Sequence, residues 1–73
     1  MPVIRVEMFK GRSAEQKAQL VRALTDSFVG VCGGRPQSVQ IIISDVERHD
    51  WAVGGDLCSA LYPDSAPAAD KQV

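Results

Sequence analysis

The sequence has few of the residues that hold a very small domain together. Among its 73 residues are two cysteines, Cys32 and Cys58, and one histidine, His49. The cysteines lie far apart and lack the spacing of metal ligands, so a zinc site is not indicated. A disulfide between them stays open as an alternative, but two small buried thiols are the simpler interpretation. Without a staple, a chain of this length is expected to gain burial by associating with further copies.

The sequence also lacks a large excess of charge of either sign and long apolar runs. Eight basic and nine acidic residues leave a formal net charge of −1, so there is no basic footprint for nucleic acid. No stretch approaches the roughly 20 apolar residues that cross a membrane. The start of the chain alternates apolar and polar residues, unlike the apolar core of a signal peptide. We therefore expect a soluble, cytoplasmic protein with neither a nucleic-acid nor a membrane partner.

The first element that the sequence predicts is a strand at residues 3–9. Alternate residues share one face, which carries Pro2, Ile4, Val6 and Met8. The opposite face carries Val3, Arg5, Glu7 and Phe9. This alternation, in a stretch rich in β-branched residues, is typical of a strand. A turn at Lys10 and Gly11 is expected to end it.

A long helix is predicted to follow. Ser13 can cap the amide of Gln16 while the Gln16 side chain reaches back, which forms a capping box, and Glu15 suits the dipole of the first turn. Apolar side chains recur at helical spacing and are expected to share a buried face. They are Leu20, Leu24, Phe28 and Val31. The helix is expected to end at Gly33 and Gly34, because glycine readily adopts the left-handed conformation beyond a helix end.

A second strand is predicted at residues 39–46. Ile41, Ile42 and Ile43 are consecutive, so both faces of this strand are expected to be buried. A strand, a helix and a strand of this size form a β-α-β unit. Its crossover should be right-handed and its strands parallel.

The rest of the chain adds a hairpin and a tail to an α+β fold. Gly54 and Gly55 predict a tight turn within a short hairpin. Residues 1–62 are assigned to one domain, and residues 63–73, which lack a core-facing pattern, are predicted to be a mobile tail. A two-stranded sheet with one helix leaves its edges and one face uncovered. Two copies joined into a four-stranded sheet, with both helices on one face, would cover part of that surface.

The proline at position 2 is a candidate general base. Met1 is expected to be removed because the residue behind it is small, which would leave Pro2 with a free secondary amine. An α-amine has a pKa of about 7.7 to 8.0 in a short peptide. Burial beside cations lowers the pKa of such an amine towards the range that suits proton transfer at neutral pH. The alternative is that Pro2 is simply the second residue of an edge strand, where its missing N–H does no harm.

Taken together, these features resemble the 4-oxalocrotonate tautomerase family. The matching features are Pro2 behind Met1, Gly11-Arg12-Ser13 before the helix, the apolar second strand, and an aromatic residue before Gly54-Gly55. The resemblance implies β-α-β subunits that assemble as a hexamer, a trimer of dimers. It also implies a base, the amino-terminal proline, that moves a proton between carbon and oxygen in enols of 2-oxo acids. No cofactor or metal is implied.

The resemblance assigns roles to three further residues. Arg12 matches the arginine that holds a substrate carboxylate; beside a helix N-terminus it is also well placed for an anion, although a solvated loop arginine is the alternative. Trp51 matches an aromatic residue that keeps the pocket apolar; an anchor in the core or at an interface is the alternative. Gln40 departs from the family, which has an arginine there, and is assigned to the carbonyl or enol oxygen. Glutamine can donate a hydrogen bond but brings no charge.

The expected activity is therefore that of a cofactor-independent isomerase, a tautomerase that acts on small 2-oxo acids or their enols. One alternative is hydration or dehalogenation of 3-substituted acrylates, which relatives with the same proline perform. Another is a catalytically weak structural subunit of an oligomer, which the loss of the arginine at Gln40 keeps open.

Overall fold

The structure, a computed structural model, describes residues 1–63. Its strands and helices are β1 (Val3–Phe9), α1 (Ala14–Cys32), β2 (Gln40–Val46), β3 (Ala52–Val53), β4 (Asp56–Leu57) and α2 (Cys58–Leu61). Single 3-10 turns at Pro36–Ser38 and Arg48–Asp50 precede β2 and β3. The predicted tail at residues 63–73 lies outside the described residues, apart from Pro63. Neither α1 nor α2 has both the length and the apolarity to cross a membrane.

Strands β1 and β2 pair in parallel, as predicted, and form a two-stranded sheet. The Gln40 amide donates to the Pro2 carbonyl over 2.9 Å, and the Lys10 amide donates to the Val46 carbonyl over 3.0 Å. The start of one strand thus meets the start of the other. Strand β2 begins one residue later than predicted, because the Val39 amide donates to the Pro36 carbonyl over 3.1 Å and completes the preceding 3-10 turn.

Helix α1 begins and ends where the sequence predicts. The Ser13 Oγ accepts from the Gln16 amide over 3.1 Å, and the Ser13 amide donates to the Gln16 Oε1 over 3.0 Å. This capping box is confirmed. At the other end, Gly33 has φ 85° and ψ −174°, and its amide donates to the Val29 carbonyl over 2.9 Å. Few residues other than glycine adopt that conformation, so Gly33 ends the helix.

The chain divides into two compact units. The first consists of Met1–Val6 and Ser13–Ile43, which include α1 and the start of β2. The second consists of Glu7–Arg12 and the described residues from Ser44 onward, which include α2. Here β3 pairs antiparallel with β4, Ala52 opposite Leu57, and the predicted hairpin is confirmed. Gly54 (φ 64°) and Gly55 (φ 92°) supply the two positive φ angles of its tight turn.

Burial within one copy of the chain is shallow. Cys58, 1% exposed, is the only fully buried residue among residues 1–63. The prediction of a buried thiol is right for Cys58 but wrong for Cys32, which lies exposed in the last turn of α1; both thiols are free. Val31 in the same turn is 85% exposed, so its predicted burial is also wrong. Both residues lie in the last turn of α1, directly before Gly33, where the helix ends.

The second face of β2 is exposed. Ile41 and Ile43 are half-buried, but Ile42 between them is 43% exposed, so the prediction that both faces are buried is wrong for a single chain. On β1 the alternation holds from Val3 to Met8, with Ile4 and Val6 half-buried and Val3 48% exposed. Each strand therefore has one covered face and one face with apolar residues in contact with water.

An exposed ion pair lies in the second unit, near the end of β2. The Lys10 Nζ lies 2.9 Å from the Glu47 Oε2. The hydrogen bond and the charge of each partner lower the pKa of Glu47 and raise the pKa of Lys10. A lowered carboxyl pKa favours the folded state above the usual pKa and loses that contribution as the pH falls through the lowered value. Because both groups face water, salt screens the pair and it contributes little.

Two glycines near the end of α1 are expected to respond to alanine in opposite directions. Gly30 lies inside the helix, and a methyl group added there would meet no atom within 4 Å apart from its chain neighbours and the helix's own backbone, so Gly30→Ala should stabilise the protein by about 0.5 to 1 kcal/mol. Gly33→Ala should destabilise it by about 1 to 3 kcal/mol, because φ is positive there. Urea unfolding at one fixed protein concentration measures both. A shift of the same sign in the two variants would contradict the assigned helix end.

Candidate active site

The first unit brings together two of the predicted site residues, Pro2 and Gln40. Pro2 is half-buried, and its carbonyl accepts the Gln40 amide at the start of the strand pair. The Gln40 side chain is exposed, and its Nε2 lies 3.5 Å from the Met1 Sδ. The carboxamide therefore extends over the residue whose removal would free the Pro2 nitrogen. A hydrogen-bond donor thus lies beside the chain terminus without bringing a charge to it.

The second unit brings together the other two, Arg12 and Trp51. Both line a pocket of about 260 Å³. The remaining lining residues are Glu7, Met8, Phe9, Val53, Cys58 and Tyr62. Arg12 is the only cation among these residues and Glu7 the only carboxylate, and most of the others are aromatic or apolar. Such a pocket suits a small molecule that has one anionic end and a hydrocarbon body.

Within residues 1–63, Arg12 is held by one long hydrogen bond, which leaves most of its donors available. It is half-buried, and its Nη1 donates to the Phe9 carbonyl over 3.4 Å. A guanidinium has five N–H donors in a planar fork, so this bond engages one of them. The fork geometry matches a carboxylate in a bidentate arrangement. The arrangement therefore allows Arg12 to bind a carboxylate.

The Phe9 ring is the centre of an aromatic cluster that also contains Trp51 and Tyr62. The ring centroids of Phe9 and Trp51 are 4.9 Å apart, with planes at 66°, and those of Phe9 and Tyr62 are 6.2 Å apart at 53°. Tilted and edge-to-face pairs at these distances are favourable beyond the area that they bury. Cys58, which is 1% exposed, lines the same pocket, and its amide donates to the Trp51 carbonyl over 2.7 Å.

Sequence reasoning missed Phe9, Tyr62 and Glu7 as members of this pocket. The alternation of β1 places Phe9 and Glu7 on its second face, and a large aromatic residue at the end of that face is the available signal. Tyr62 falls at the boundary of the predicted tail, and its position depends on contacts with residues far away in sequence. No three metal-ligating side chains come together within residues 1–63.

Comparison with known proteins identifies the family. The sequence model of the family described as "Tautomerase enzyme" matches residues 2–61. A protein of Ralstonia nicotianae named as a probable tautomerase is 39% identical over 57 residues, which is 78% of this chain and 88% of that protein. The chain therefore belongs to the tautomerase family, and the resemblance found in the sequence is confirmed.

Solved structures agree with that assignment. The crystal structure of a 4-oxalocrotonate tautomerase homologue is similar with a TM-score of 0.74 and 39% identity, covering 81% of this chain and 94% of that chain. A heterohexameric 4-oxalocrotonate tautomerase from Chloroflexus aurantiacus is similar with a TM-score of 0.78 and 38% identity, covering 84% of this chain and 98% of that chain. The β-α-β subunit with parallel strands and a C-terminal hairpin is thus the fold that these proteins share with this chain.

Proposed function

We propose that the protein is a cofactor-independent tautomerase that transfers a proton between carbon and oxygen in small 2-oxo acids and their enols. The observation that carries the proposal is the position of Pro2. Its carbonyl is held by the Gln40 amide, so the start of the chain is fixed in the sheet beside a side-chain donor. Membership of the tautomerase family supports the same conclusion.

Each candidate residue has one task in the proposed reaction. The neutral secondary amine of Pro2, free once Met1 is removed, takes a proton from one end of the three-atom enol system and returns it at the other end. Negative charge develops on the 2-oxo oxygen, and the Gln40 carboxamide donates a hydrogen bond to it. Arg12 binds a carboxylate, and Trp51 keeps the pocket beside Arg12 apolar.

We also propose that the working protein is a homo-oligomer in which two copies join their sheets into one of four strands. Val3 and Ile42 are 48% and 43% exposed on the uncovered faces of β1 and β2, and Val53 in the hairpin is 56% exposed. Apolar surface of this kind is typical of protein interfaces. The Chloroflexus relative is described as a heterohexamer, which supports a hexamer, a trimer of dimers, for this chain.

Substitution of Ile42 is expected to disrupt this assembly. Ile42→Lys places a charge where two copies would bury apolar surface, so the complex should dissociate or weaken at micromolar concentration. Val31→Lys is the matched control: Val31 is 85% exposed but lies on α1, so the assembly should persist. Sedimentation velocity measures both. A wild-type protein that sediments as a folded monomer would contradict the proposed assembly.

The role of Pro2 is tested by identifying the N-terminal residue and by measuring the rate of tautomerisation. Mass spectrometry should find Met1 removed, and the protein should tautomerise a 2-hydroxydienoate or phenylenolpyruvate. Pro2→Ala still permits removal of Met1 but replaces the secondary amine by a primary one. Its kcat/KM should fall, but by less than the roughly 100-fold or more expected for complete loss of a positioned base, because a primary amine remains. A chain that retains Met1 and turns over either substrate as fast as the processed chain would refute the proposed base.

Restoring the family arginine at Gln40 is expected to change the substrate preference. Gln40→Arg should raise kcat/KM for a dicarboxylate dienol, relative to an aryl enolpyruvate, by about tenfold, since a guanidinium meets the developing charge with a charge-assisted bond. The arginine is unpaired without substrate, so the empty protein should be less stable and recover on binding a dicarboxylate inhibitor.

The matched control for this substitution is Gln37→Arg. Gln37 is an exposed glutamine in the 3-10 turn before β2, so this variant adds the same charge near the site without extending it from β2. It should leave the ratio of the two kcat/KM values unchanged. If the ratio is also unchanged in Gln40→Arg, then Gln40 is not at the substrate.

Hydration or dehalogenation of a 3-substituted acrylate is a second candidate, favoured by one observation. Glu7 lines the same pocket as Arg12, and a carboxylate in the pocket is what activation of water requires. That reaction uses a protonated Pro2 amine as an acid, whereas tautomerisation uses a neutral amine as a base. Turnover of 3-chloroacrylate, with activity lost in Glu7→Gln, would favour this candidate over the tautomerase.

A further inference from the structure

One arginine outside the pocket joins three separate segments of the second unit. The Arg48 guanidinium lies over the Phe9 ring, with its Cζ 4.8 Å from the centroid. The Arg48 Nη1 donates to the Tyr62 carbonyl over 2.6 Å. Arg48 itself belongs to the 3-10 turn that precedes Trp51. A single half-buried side chain therefore contacts the end of β1 and the residue that follows α2.

Both contacts join Arg48 to members of the aromatic cluster, Phe9 and Tyr62. A guanidinium over a ring face is attracted by the ring quadrupole, and this attraction grows as water is excluded. The bond to Tyr62 is charge-assisted and short, so it restrains the segment on which the third ring is carried. The Tyr62 amide already donates to the Cys58 carbonyl over 2.7 Å, so Tyr62 is held through both of its backbone polar groups.

Phe9 connects this arrangement to the proposed carboxylate ligand. Its ring contacts Arg48 and Trp51, while its carbonyl accepts the hydrogen bond from Arg12. A shift of Phe9 would therefore move an aromatic wall of the pocket and the acceptor that orients Arg12 at the same time. Arg48 is not among the residues that line the pocket.

We propose that Arg48 is a positioning residue that holds Phe9 and Tyr62 in place and so sets the shape of the aromatic wall and its selectivity for substrates with an aryl body. The proposal rests on the proposed tautomerase function. Arg48 acts through Phe9 and takes no part in proton transfer. Its loss changes the capture of an aryl substrate, and the rate of the chemical step stays the same.

The chemistry of arginine fits this task better than that of lysine. A planar guanidinium can lie flat over a ring and still direct an N–H of its edge at a carbonyl. A lysine ammonium is a point charge on a flexible stem, so it can make one of the two contacts well but not both. Arg48→Lys should therefore preserve part of the effect, and Arg48→Met, of similar length and without charge, should remove it.

The test compares two substrates in three variants: Arg48→Met, Arg48→Lys and, as a matched control, Arg22→Met on the exposed surface of α1. Arg48→Met should raise KM for phenylenolpyruvate by about five- to tenfold, because only part of the loss of one cation–π contact and one charge-assisted bond is expressed in substrate capture. Its kcat should change less than twofold, and its KM for a small aliphatic enol, which depends on Arg12 but not on the aromatic wall, should rise by a smaller factor than its KM for phenylenolpyruvate. Arg48→Lys should be intermediate and Arg22→Met unchanged. As a benchmark, Arg12→Ala should raise KM for both substrates.

A second readout does not depend on activity. Trp51 is the only tryptophan of the chain and packs on Phe9, so its fluorescence reports on the cluster. In Arg48→Met its emission should shift to the red and become more accessible to acrylamide, while Arg22→Met should match the wild type. This readout also applies to Arg48→Lys if the methionine variant does not fold.

The outcomes separate this inference from the proposed function. A folded Arg48→Met with unchanged Trp51 emission and an unchanged ratio of KM values would overturn the positioning role while leaving the tautomerase intact. An equal fall in kcat on both substrates with unchanged emission would also overturn it, because Arg48 would then act on the chemical step. A wild-type protein inactive on both substrates would overturn the proposed function, and the emission of Trp51 would still decide whether Arg48 holds the cluster.

Discussion

The hydrogen bond from the Gln40 amide to the Pro2 carbonyl is the contact on which the rest of the structure depends. It begins a parallel strand pair, and parallel strands require a crossover, which α1 supplies. It also places the start of the chain against the first residue of β2. An amine at the very end of a chain would ordinarily sample many conformations. The pairing of the two strands would restrain a Pro2 amine freed by removal of Met1, so the fold and the proposed base would have the same physical origin.

Local chemistry allowed much of the fold to be predicted from the sequence. The Ser13–Gln16 capping box, the end of α1 at Gly33 and the Gly54–Gly55 turn depend on residues within a few positions of one another. Burial could not be predicted as well, because it depends on what covers a residue. Ile42 has the sequence pattern of a buried position, yet 43% of its surface is exposed in one chain.

The candidate site was predictable only in part, for a related reason. Pro2 was a candidate from the chemistry of its amine, and Arg12, Gln40 and Trp51 were identified through a family resemblance. The structure brings the four together as two pairs, each within its own unit. The residues proposed to hold the aromatic wall of the pocket in place could not be found in this way. Arg48 and Tyr62 are 14 residues apart, and neither belongs to a recognisable motif. Their bond depends on how the segments after β2 fold back on the end of β1, which no local pattern specifies.

Exposed apolar surface and the proposed chemistry point to the same assembly. One chain has a single fully buried residue among residues 1–63, and domains of this size with little interior are marginally stable alone. A second copy that covers Val3 and Ile42 would also enclose the exposed face near Gln40 and so exclude water from it. The amine and the oxygen that receives charge would then lie in a medium where electrostatic interactions are stronger than in water.

The most direct test of the central claim is an NMR titration of the Pro2 nitrogen in protein labelled with ¹⁵N-proline. The account predicts that Pro2 is the terminal residue and that its pKa lies below the value of about 7.7 to 8.0 for an ordinary α-amine. The same value should appear as the rising limb of kcat/KM with pH, because the neutral amine is the active form. A terminal amine that is still fully protonated at pH 8, while the protein tautomerises its substrate at neutral pH, would contradict the account.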